Sequence, residues 1–104
     1  MQTSKPVTAS GVVAVLQAHQ QALRHEGIAR LSLFGSVARD EAGPDSDVDL
    51  AAEFDPAAKM DLIRLVAIER QLSESLGRRV EILPEPVKKP RLRAALERDR
   101  IRAF

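Results

Sequence analysis

Two aspartates, Asp47 and Asp49, stand two positions apart, and twelve residues before the first of them lies Gly35-Ser36. In a strand, side chains i and i+2 share a face about 7 Å apart along the backbone. Two like charges side by side repel unless a cation sits between them. Asp is disfavoured within strands, so either the pair holds something or it lies on the solvated face of an edge strand. Gly35-Ser36 follows the apolar run Leu31-Ser32-Leu33-Phe34. Singly, each has a plain reading, as a turn glycine and as a helix N-cap. Together, at a strand-to-helix corner, they offer backbone N–H groups, a hydroxyl and the positive end of a helix dipole, which suit a phosphate.

Two further residues bear on that chemistry. With Ser36 as N-cap, Arg39 takes the third helical position, where a capping box has Glu or Gln. A cation there opposes the dipole and calls for a negative partner, either a nearby acid or a bound phosphate. Glu81 lies alone between Val80 and Ile82. It is a surface residue unless its strand pairs beside the strand of the aspartates. In that case three carboxylates converge, enough for two Mg²⁺ ions in a phosphoryl-transfer site. Asp45 and Ser46 read as turn residues.

The elements that must carry these residues alternate along the chain. Val12, Leu16, His19 and Leu23 predict a helix over 10–26, with Ser10 as cap and Gly27 as stop. Residues 28–34 alternate as a strand, 36–41 read as a short helix, and Ala42 to Ser46 as a turn. Residues 47–54 alternate cleanly, with Val48, Leu50, Ala52 and Phe54 on one face and Asp47, Asp49, Ala51 and Glu53 on the other. A long helix is expected from Lys59 to Leu76, its stripe formed by Leu62, Leu65, Ile68, Leu72 and Leu76. Residues 79–83 read as a third strand closed by Pro84, 86–90 as a linker and 91–102 as a last, basic helix. The order is α-β-α-β-α-β-α, an α/β fold with a small mixed sheet of about three strands flanked by helices.

Composition narrows the classes. The 104 residues suit a single domain, 1–104, and a hydrophobic fraction of 44% with 30% charged residues is that of an ordinary globular protein. No cysteine is present, which excludes disulfides and thiolate metal sites. No apolar stretch approaches the roughly 20 residues of a membrane span. Met1 to Gly11 lacks the apolar core of a signal peptide, so a cytoplasmic location is expected. A net charge of +1 gives no global attraction to nucleic acid or membrane. His19 and His25, six apart, do not form a ligand pair on one helical face.

Gly-Ser-x-x-Arg followed by Ser-Asp-x-Asp-Leu resembles the minimal nucleotidyltransferases of the DNA polymerase beta superfamily. Glu53-Phe54-Asp55-Pro56, Leu76-Gly77-Arg78-Arg79-Val80-Glu81 and Lys89-Pro90-Arg91-Leu92-Arg93 extend the likeness over about residues 12–102. The resemblance implies a polymerase beta palm-like fold in which Gly35 and Ser36, with Arg39, bind the nucleotide. Asp47 and Asp49 would hold the metals, assisted by Glu81 where the family usually has Asp. It also implies an antitoxin that silences a helical HEPN-type toxin by moving AMP from ATP onto its tyrosines. Two rivals stand beside this: an antitoxin that acts by binding alone, and an enzyme that modifies a small molecule such as an aminoglycoside.

Template-directed synthesis is not expected. The chain has no Trp or Tyr and only three Phe, few rings for stacking on bases, and Phe34 and Phe54 point to the core. Residues 88–104 hold seven Lys or Arg and two acids, a solvated face or a docking surface. In the second case Arg91, Arg93, Arg98 and Arg102 supply charge, and Leu92, Leu96 and Phe104 supply apolar anchors.

Overall fold

The computed structural model describes residues 7–104. The expectation of a non-signal start therefore falls in large part outside the described residues. Four strands, β1 (Ile28–Phe34), β2 (Val48–Phe54), β3 (Val80–Pro84) and β4 (Ile101–Arg102), form one sheet in the order β3-β2-β1-β4. β1 runs antiparallel to β2 and β4, and β2 runs parallel to β3. The helices are α1 (Ala9–Ala18), α2 (Gln20–His25), α3 (Leu62–Leu76) and α4 (Pro90–Asp99). The α/β class is as expected, with one strand more.

That strand comes from the end of the chain. The expected helix over 91–102 stops at Asp99, and Ile101–Arg102 returns along β1. Leu31 N–H donates to Phe104 O at 3.1 Å, and Ala103 N–H donates to Leu31 O at 2.9 Å. Phe104 is buried in the main core with Arg24 stacked 5.0 Å over its ring, and Leu96 is buried against Phe34 and Ala51. Neither is available as a docking anchor, which corrects the expectation for the basic segment. The exposed large apolar side chains among the described residues are Leu62, Ile63 and Val66 at the start of α3. Leu62, expected on the buried stripe, is 74% exposed.

The two faces of the sheet are covered unequally. Val12 and Leu16 of α1, Leu23 of α2 and Leu65, Ile68 and Leu72 of α3 pack on Leu31, Leu33, Val48, Leu50 and Ile82. The opposite face carries a smaller cluster of Phe34, Ala51, Val87 and Leu96, under α4. Burial of apolar area on both faces drives the assembly, and the acids of β2 lie at the end of the second face.

Local chemistry sets the ends of the helices. Thr8, not Ser10, caps α1, accepting from Gly11 N–H at 3.1 Å. The helix expected over 10–26 breaks at His19, whose Nδ1 lies 2.8 Å from Val15 O. Asp61 caps α3 through Arg64 N–H at 2.8 Å, and Gly77, at φ +67°, ends it in the left-handed conformation that glycine accepts freely. Along the outer side of β3, Val80 N–H donates to Ser73 Oγ at 3.0 Å and Ile82 N–H to Glu69 Oε2 at 2.8 Å. Ser73 and Glu69 are one turn apart on α3, so one helix face meets alternate donors of the strand. Among the described residues no helix is long and apolar enough to cross a membrane.

Candidate active site

The start of β2 gathers the residues singled out for chemistry. β2 begins at Val48, so Asp47 is the residue just before the strand. Asp49 pairs in register with Phe34 of β1 on one side and with Glu81 of β3 on the other. Glu81 therefore does fall beside the aspartates, on the acidic face. Burial, chiefly, and then the charges of Glu81 and Asp47 raise the carboxyl of Asp49 above the usual carboxylate range. The apolar shoulder of Phe34 and Ala51 is part of that burial, and the two acids add like-charge repulsion.

Gly35 serves Asp49 directly. Its φ is +82°, and the space a Cβ would take is held by Asp49 Oδ2, with Asp49 Cγ 3.3 Å away. The glycine was expected to admit a phosphate; here it admits a carboxylate. Any side chain at position 35 would displace the acid and strain the backbone.

Ser36 to Asp40 form a turn, not the helix expected over 36–41. Glu41 N–H donates to Ser36 O at 2.9 Å and Asp40 N–H to Val37 O at 3.0 Å, with Asp40 left-handed at φ +56°. This closure resembles a helix C-terminal motif wrapped around one turn. No bond from Ser36 Oγ to the backbone is present among the described residues, so the hydroxyl is not spent on a cap. Two side chains hold the turn from outside. Asp40 Oδ1 accepts from Ala9 N–H at 2.8 Å, tying it to α1. Arg39 Nη1 donates to Asp99 Oδ2 at 2.6 Å, tying it to the end of α4, and Arg39 Nε lies 3.4 Å from Glu41 Oε2.

The negative partner that Arg39 required is thus Asp99, sixty positions away. The Asp99 side chain is only 2% exposed and also takes a fork from Arg98, at 2.9 and 3.0 Å. These bonds, Arg98 first and Arg39 after it, outweigh burial and push its carboxyl down to about 2. Asp99 and Asp40 escaped the sequence reading because each acts on a residue far along the chain.

Three carboxylates give an all-oxygen donor set of the kind Mg²⁺ takes. In chemistry Asp47, Asp49 and Glu81 therefore fit a divalent metal. Among the described residues, however, no three acidic or histidine side chains are gathered as a ready metal-binding group. A cleft of about 900 Å³ opens between α1, residues 44–47 and the turn after α3, with Thr8, Val12, Val15, Asp47 and Arg78 on its walls; it shares Asp47 with the acidic cluster, but Gly35, Ser36, Asp49 and Glu81 do not line it.

A four-stranded mixed sheet with paired aspartates at the start of β2 and a glycine turn folded onto one of them defines a class. Residues 16–103 match the nucleotidyltransferase domain family, and the chain belongs to it and is a nucleotidyltransferase. The protein adenylyltransferase MntA of Thermococcus cleftensis is 33% identical over 78 residues, 74% of this chain and 77% of that one. A solved minimal nucleotidyltransferase superposes with a TM-score of 0.74 at 33% identity, covering 94% of this chain and 98% of the other. The fold also recurs in the structure of a tri-AMPylated HEPN toxin of Shewanella oneidensis in complex with MNT antitoxin. There the TM-score is 0.62 at 17% identity, over 88% of this chain and 71% of that one.

Proposed function

We propose that this nucleotidyltransferase moves AMP from ATP, with Mg²⁺, onto a hydroxyl of a separate protein, a HEPN-type toxin for which it is the antitoxin. The observation that carries the reading is the register of Asp49 with Glu81 beside the Gly35 turn. The adenylyltransferase name of the Thermococcus relative and the AMPylated toxin bound to an antitoxin of the same fold support the donor and the acceptor. A chain without tyrosine has none of its own to modify.

Asp47, Asp49 and Glu81 would hold the metal, which when bound supplies Lewis-acid charge to the phosphates. The chain's own contribution is positional. The Ser36 hydroxyl and the N–H groups of the turn offer donors to the triphosphate, and Arg39, 35% exposed, keeps a guanidinium beside them. The carboxyl of Asp49 is raised by burial and then by the charges of Glu81 and Asp47, and a cation bound between the three would favour its charged form. The acceptor oxygen bonds to the α-phosphorus, the bond to the β-phosphate oxygen breaks, pyrophosphate leaves, and the hydroxyl proton passes to water.

Inhibition by binding alone is the second reading, favoured by the absence of a gathered metal group among the described residues. One experiment separates the two. A HEPN-type protein, taken from the neighbouring reading frame where one is encoded there, is incubated with this chain, α-labelled ATP and Mg²⁺. Label on a tyrosine of the partner is expected; a stable, unlabelled and inactive complex would instead establish binding alone.

A further inference from the structure

One side chain outside the site joins the two segments that carry the acids. Arg78 lies in the turn between α3 and β3, three residues before Glu81. Its Nη1 donates to Gly43 O at 2.7 Å and lies 3.3 Å from Ser46 O and 3.4 Å from Pro44 O. Those carbonyls belong to the tight turn that ends at Asp47. The turn is also closed on itself: Gly43 N–H donates to Ser46 Oγ at 2.8 Å and Ser46 N–H to Gly43 O at 3.2 Å. Immediately afterwards Val48 N–H donates to Arg79 O at 2.9 Å, starting the β2–β3 ladder.

We infer that Arg78 is a positioning residue of the transfer reaction, fixing the Gly43–Ser46 turn so that Asp47 is held in reach of a metal shared with Asp49 and Glu81. The inference rests on the proposed metal-dependent reading of the site. β2 cannot hold Asp47 itself, because the ladder begins one residue later. Without an outside anchor the carboxylate would ride on a loop containing Gly43 and Pro44. All three contacts are made by one nitrogen, Nη1, which the rigid guanidinium plane holds among the carbonyls, whereas an ammonium sits on a flexible stem. Outer groups that orient metal ligands typically control affinity by about 10–100-fold.

The sign of the effect separates this role from charge. Removing a cation from beside three acids should by Coulomb's law tighten a divalent metal. Removing an anchor should weaken it. Mn²⁺ alone is titrated by electron paramagnetic resonance into the full chain, its Arg78→Met and Arg78→Lys variants, and Arg79→Met. Arg79 lines the same cleft but donates no side-chain bond to the turn among the described residues. Arg78→Met is expected to weaken Mn²⁺ roughly tenfold and to speed amide exchange at Gly43 and Ser46 in the metal-free protein. Arg78→Lys should restore part of both, and Arg79→Met should leave binding unchanged or tighter. With a labelled acceptor, Arg78→Met should lower kcat more than it raises KM for ATP.

Unchanged or tighter Mn²⁺ binding in Arg78→Met, or unchanged exchange, would overturn the inference. Parent-level Mn²⁺ binding in Asp47→Asn would overturn the reading of the site itself, a separate result.

Discussion

Asp49 is a half-buried carboxylate and Asp99 a buried one, and the protein treats them in opposite ways. Asp99 is matched by two arginines, and its carboxyl is driven down to about 2. Asp49 has Glu81 and Asp47 for company, and its carboxyl is driven up. Burial pushes both the same way, so the partners decide the sign. An acid the chain satisfies by itself holds the fold together. An acid crowded by its own kind, with a glycine clearing space for it, is left for something the chain does not contain. Unpaired like charge costs stability, a cost that a cation would offset in the metal-dependent reading proposed for this site.

The contrast breaks most sharply with Asp49→Asn. Transfer should fall roughly a thousandfold, about 4 kcal/mol of transition-state stabilisation. The metal-free melting temperature should hold or rise, since a repulsion is removed. Retained activity with a lowered melting temperature would make Asp49 a structural acid like Asp99. Asp99→Ala should show the converse. It leaves Arg39 and Arg98 without their shared partner, and urea unfolding should show a loss of about 3 kcal/mol, less whatever solvent returns to the exposed Arg98.

The same residue gives a pH signature. The folded-state carboxyl of Asp99 lies below its ordinary value of 3.8, at about 2. Its stabilisation is therefore complete above that ordinary value and is lost as pH falls through the folded one. Asp99→Asn should flatten the acid limb of stability across that window; an unchanged limb would place the responsible acid elsewhere. The smallest effect is expected at Glu81. Glu81→Gln should cut turnover about tenfold with little change in nucleotide affinity, and Glu81→Asp should match or exceed the parent. Parent-like rates in both would reduce the acidic site to two residues.

Much of this arrangement was legible in the sequence because it depends on local period. The alternation of Val48, Leu50 and Ala52 against Asp49 and Ala51 fixes which face the acids occupy, and the placement of Glu81 followed once β3 was set beside β2. Helix α3 is readable from its stripe, except that Leu62, at its first position, is exposed. What escaped depends on distance along the chain. Two residues of β4 have no period, and they form a strand only because β1 offers Ser32 and Leu33 as partners. Asp99 lay hidden in a basic segment that reads as solvated until Arg39 meets it. The turn after Gly35 reads as a helix in sequence because a single turn and a helix start carry the same residues. The left-handed Asp40 that ends it has no mark in the sequence beyond being an Asp.

The side chains of Ser73 and Glu69 have a consequence for how this protein keeps company. A sheet with a free margin invites another chain to lie down beside it, in recognition or in aggregation. Here the margin at β3 is already occupied, since a helix answers Val80 and Ile82 as a neighbouring backbone would. A newcomer would have to evict those side chains before forming its first bond there. The margin at β3 is thus shut to strand addition, and a protein that approaches on that side is left to be recognised by its side chains and its shape.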